Sequence, residues 1–84
     1  MQHETLLNTF ELADLGAAAA IASIGFKLLG LEPTDGRRVV FVFQNEPGIG
    51  EAIERFWSGQ LTVDALAYFG AVKLLKSRLH AIAR

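Results

Sequence analysis

The chain contains no cysteine. That excludes a disulfide framework, a thiolate metal site and a cysteine nucleophile, and it is in keeping with the cytoplasm. Histidine is scarce as well: His3 lies at the N-terminus and His80 among lysines. Without cysteine, a metal site would need clustered carboxylates, and neither HExxH nor EF-hand spacing occurs. No metal and no other cofactor is expected. Long apolar runs are missing too. The Ala-rich stretch Leu15 to Phe26 has twelve residues, where a membrane span needs about twenty, so it reads as a buried helix. The start, Met1-Gln2-His3-Glu4, has no basic n-region, and Glu11 and Asp14 precede the Ala-rich stretch, unlike a secretory signal. These readings point to a cytoplasmic protein with no membrane partner.

Catalytic groupings are equally thin. Ser23, Ser58 and Ser77 lack G-x-S-x-G surroundings, and Ser23, inside an apolar helix, is expected to bond back to a carbonyl one turn earlier. Glu51 and Glu54 share a helix face at i, i+3, where a solvated surface is the simpler account than an acid–base pair. Gly48-Ile49-Gly50 precedes a helix and is a weak phosphate-loop signal. It has no P-loop lysine, and Glu46, Glu51 and Glu54 would repel an anion. No catalytic residue is assigned, and the chain does not read as an enzyme.

What is present is a short, apolar chain. Its 84 residues make one domain, residues 1–84. A chain of this length buries only about 60–65% of its unfolded surface. Yet 51% of its residues are hydrophobic, against a usual value of about 45–50% that also counts glycine. That excess favours self-association or a larger protein partner. The net charge of −1 hides a segregation: residues 1–59 carry −4 and residues 60–84 carry +3.

The element order follows from periodicity and punctuation. Residues 5–12 alternate, with Leu6, Phe10 and Leu12 on one face and Thr5, Thr9 and Glu11 on the other, which predicts a half-buried strand. Asp14 is placed to cap a short buried helix, Leu15 to Ile24, and Gly25 suits its left-handed end. Residues 26–32 and 37–44 form a β-hairpin around the turn Pro33-Thr34-Asp35-Gly36, with Gly30 marking a bulge. Val39 to Phe43 are all β-formers and apolar on both faces, so this strand is expected to be central and covered on both sides. Asn45 and Pro47 suit a helix start. Ile49, Ile53, Phe56 and Trp57 make its apolar face, and Gly59 ends it. After an extended link, Leu61-Thr62-Val63, Asp64 opens a long final helix with an apolar stripe Ala65, Phe69, Val72, Leu75, Leu79 and Ile82. The fold class is α+β: a small antiparallel sheet, the hairpin plus an N-terminal strand, packed by about three helices in the order β-α-β-β-α-α.

Two surfaces stand out. Lys73, Lys76, His80 and Arg84 recur at three- and four-residue spacing and share one helix face. Such a stripe can track phosphates with salt-dependent affinity, or it can be a solvated face. No aromatic is interleaved in the spacing, so base stacking is not supported. Arg37 and Arg38 at the hairpin extend the patch only if the fold brings them close. Most aromatics read as core, but Trp57 and Tyr68 are candidate interface residues, each with an apolar body and a polar tip.

The pattern Thr9-Phe10, Asp14-Leu15, Ala18, Gly25-Phe26, Arg38 to Phe43, Phe56-Trp57, Leu61 to Asp64 and Leu74 to Leu79 resembles a family of short bacterial and phage proteins of unknown function. The resemblance covers nearly the whole chain. It implies a small stand-alone module, associated with mobile elements, and carries over no functional residue. Two functions remain open: a non-enzymatic module that self-associates or docks on a larger protein, and a nucleic-acid binder using the basic face of its last helix.

Overall fold

A computed structural model describes residues 8–34, 36 and 38–83. Its elements run β1 (Thr9–Leu12), α1 (Leu15–Ser23), β2 (Leu28–Pro33), β3 (Val39–Gln44), α2 (Ile49–Trp57) and α3 (Ala65–Ala83). This is an α+β fold in the expected order, β-α-β-β-α-α. The predicted strand begins at residue 5, but residues 5–7 lie outside the described residues, as do His3, Asp35, Arg37 and Arg84.

β3 is the middle strand of a three-stranded antiparallel sheet, in the order β1-β3-β2. Phe10 pairs with Phe43 and Leu12 with Phe41 on one side. Leu28 pairs with Phe43 and Leu31 with Phe41 on the other. Because side chains alternate along a strand, these residues share one face, and it is the face the helices cover. The register shifts between Leu28 and Gly30, the bulge that Gly30 signalled. Thr34 N–H closes the hairpin on the Arg38 carbonyl at 2.9 Å.

Buried residues of all three helices join Phe41 and Phe43 in one core cluster, which Val40 and Val42 do not enter. Among the described residues, the helices thus cover one face of β3. On the second face Val42 is buried, but its cross-strand partners are Glu11 and Gly30, and that of Val40 is Glu32. Among the described residues, no buried helical residue joins a cluster on that face.

α1 is the centre of the helical layer. Ala17, Ala18, Ala19, Ala20 and Ile21 are buried. Their small side chains let the sheet, α2 and α3 approach its backbone closely. The Asp14 carboxylate accepts from Ala17 N–H at 2.8 Å, satisfying one of the free donors of the first turn. The Ser23 hydroxyl donates to the Ala20 carbonyl at 2.7 Å, as its setting predicted. Gly25, with φ of 110°, turns the chain out of the helix. α2 starts later than Asn45 and Pro47 suggested. Its N-cap is Gly48, at φ 90°, a left-handed conformation that glycine adopts without a Cβ clash. α3 opens on Asp64, whose carboxylate accepts from Ala67 N–H at 2.9 Å.

Candidate functional site

The last two helices each bury one side and expose a different chemistry on the other. In α2, Ile49, Ala52 and Ile53 are buried and Phe56 packs against the core. Trp57, expected on the same apolar face, is 60% exposed. Its ring meets Phe56 edge-on, with centroids 4.9 Å apart and planes at 77°, a favourable aromatic geometry. Glu51, Glu54 and Arg55 are exposed along the rest of the helix.

α3 is rotated from the predicted phase. Leu75 is buried, and Tyr68, Ala71, Val72 and Leu79 pack beside it against the core. Ala65, Phe69 and Ile82, assigned to the buried stripe, are instead exposed. The reason is contact with α1. Tyr68 is half-buried there, its hydroxyl donating to the Gly16 carbonyl at 3.5 Å, and a Cβ on Gly16 would stand 3.4 Å from that hydroxyl. Tyr68 therefore faces inward, while Trp57 faces solvent.

The outward side of α3 combines Leu66 (79% exposed), Phe69 (59%) and Leu74 (52%) with exposed Lys73, Lys76 and His80. Arg84, the fourth member of the basic stripe, lies outside the described residues. The Lys73 ammonium stands 5.2 Å from the centroid of the Phe69 ring, within cation–π range. An aromatic does accompany the bases, contrary to the reading from spacing. Leu66, Phe69 and Leu74 escaped that reading because α3 has apolar residues around its whole circumference. That distribution was itself the available signal, since such a helix needs contact on more than one side.

Arg38 shares an open groove of about 500 Å³ with Asp14, Phe41 and Leu79. The groove brings Arg38 near the C-terminal half of α3, but its carboxylate, Asp14, is the α1 cap. Among the described residues no three His, Asp or Glu side chains gather in a metal-binding arrangement. No described helix is long and apolar enough to cross a membrane.

The model of a domain of unknown function, DUF5659, matches residues 7–81. The chain belongs to this family. The DUF5659 match runs from β1 through most of α3, so it spans Trp57, Tyr68, Lys73, Lys76 and His80 together with the exposed Leu66, Phe69 and Leu74. No curated protein and no solved structure matches the chain.

Proposed function

We propose that this DUF5659 chain is a non-enzymatic interaction module that associates with itself or docks on a larger protein. The observation that carries the reading is the outward side of α3, where Leu66, Phe69 and Leu74 stand more than half exposed. Burying such a side chain fully is worth about 1.5–3 kcal/mol, whereas an exposed ion pair contributes about 0–1 kcal/mol. The apolar groups therefore dominate what this surface can gain from contact, and the lysines tune it. Trp57 adds a side chain of the kind enriched at contact hot spots. On the resemblance, we further place the protein in a bacterium or its phage, and from its composition in the cytoplasm.

Sedimentation velocity tests the reading. The native chain is expected to run heavier than its 9.1 kDa monomer mass as concentration rises. A Leu66→Ser/Phe69→Ser/Leu74→Ser variant is expected to remain monomeric with its fold intact. Association that is unaffected in that variant would remove α3 from the account.

A second reading, nucleic-acid binding through Lys73, Lys76, His80 and Arg84, is favoured by the placement of Phe69 beside Lys73. It predicts single-strand binding that weakens steeply with salt and drops in a Lys73→Glu/Lys76→Glu variant. Absence of binding at low salt ends it.

A further inference from the structure

We propose that the partner of the α3 surface is a second copy of this chain, with α2 of one copy lying antiparallel on α3 of the other. This deepens the contact reading above and rests on it. The argument is complementarity at one register. Exposed Glu51 and Glu54 lie three residues apart on α2, and Trp57 follows after another three. Exposed Lys73 and Lys76 lie three apart on α3, and Gly70 precedes them by three. An antiparallel pairing that sets Glu51 opposite Lys76 of the second copy also sets Glu54 opposite Lys73 and Trp57 opposite Gly70. Two attractive charge pairs and one large-into-small contact thus fall in register together. Opposite charges facing each other fix register and disfavour other pairings.

Gly70 gives the pairing its socket. A glycine inside a helix weakens it relative to alanine, and among the described residues nothing requires one here. No described atom beyond its own helix lies within 4 Å of where its Cβ would stand. An indole from outside can settle over that bare backbone beside Phe69 and Leu74. α2 carries Glu51 and Glu54 against a single base, Arg55, while α3 carries Lys73, Lys76 and Arg78 and no acid. A two-fold dimer uses both: each copy offers α2 to the other's α3, the reciprocal geometry of an isologous contact.

Charge exchange tests this by sedimentation equilibrium on the full chain. Lys73→Glu/Lys76→Glu makes both faces acidic, and Glu51→Lys/Glu54→Lys makes both basic. Each variant alone is expected to dimerise at least about tenfold more weakly than the native chain. Mixed in equal amounts they are expected to form a heterodimer, because each α2·α3 contact then joins opposite charges again. Rescue on mixing cannot come from misfolded chains. A Gly70→Gln variant is expected to raise the urea midpoint of the monomer and also to weaken the dimer at least tenfold, a combination that loss of structure cannot produce. If the native chain dimerises and the triple serine variant does not, but charge reversal and Gly70→Gln change nothing, the register is wrong and the contact reading stands. A native chain that is monomeric through the millimolar range overturns both the register and self-association.

Discussion

Helix α1 buries five consecutive residues, Ala17 through Ile21, in a length of nine, whereas α3 runs for 19 and fully buries Leu75 alone among its described residues. Both carry apolar side chains around the whole circumference. α1 satisfies them inside the fold, since its alanines admit the sheet on one side and α2 and α3 on the others. α3 lies at the outside of the helical layer, so Tyr68, Val72, Leu75 and Leu79 find the core while Leu66, Phe69 and Leu74 face water. An apolar circumference therefore reports how many neighbours a helix needs, and for α3 the fold supplies only part of them.

Substitutions that separate the two helices test this contrast. The largest difference is expected between Ile21→Ala and Leu66→Ala. Ile21 is wholly buried, so its truncation is expected to cost about 2–5 kcal/mol. Leu66→Ala in dilute, monomeric protein is expected to stay within about 0.5 kcal/mol of native. Urea unfolding measures both, and similar losses would mean that α3 is packed on its outward side in the monomer. Next come the caps. Asp14→Ala and Asp64→Ala are each expected to cost about 1 kcal/mol, because each carboxylate holds one free N–H of its helix. A negligible loss at Asp64 alone would show the start of α3 frayed in solution. The smallest effect belongs to two of the helical glycines, one in α3 and one in α1. Gly70→Ala is expected to add up to about 1 kcal/mol, since an added Cβ meets open space. Gly16→Ala is expected to gain nothing, because its Cβ would crowd the Asp14 carboxylate at 3.3 Å and the Tyr68 hydroxyl at 3.4 Å. Equal gains at both glycines would contradict the close approach of α3 to α1.

Much of the fold was legible because it obeys local rules. Asp14 caps, Gly25 takes positive φ, Gly30 marks a bulge, and the β-branched and aromatic run in β3 occupies the middle of the sheet. What escaped was set by tertiary contact. The start of α2 depends on the left-handed Gly48 and not on Asn45 or Pro47. The outward position of Trp57 depends on which turn of α2 meets α1. The phase of α3 was the largest miss, for a physical reason: apolar residues all round leave periodicity without a strong direction. Packing against α1 and the core, with Leu75 buried and Tyr68 against Gly16, decides which side turns in. The basic residues Lys73, Lys76 and His80 were legible as one exposed face. The hydrophobic residues among them were not: Phe69 reads by spacing as part of the buried stripe, and Leu66 and Leu74 fall outside both stripes.

Trp57 is the chain's one tryptophan, so its fluorescence reports directly on the surface at issue. The emission maximum of the native chain should shift to the blue as concentration rises and the indole leaves water. The Gly70→Gln variant should keep the red-shifted emission of an exposed indole over the same range. Emission that stays red in the native chain while sedimentation shows it to be associated would contradict the pairing of α2 with α3, because Trp57 would then lie outside the contact.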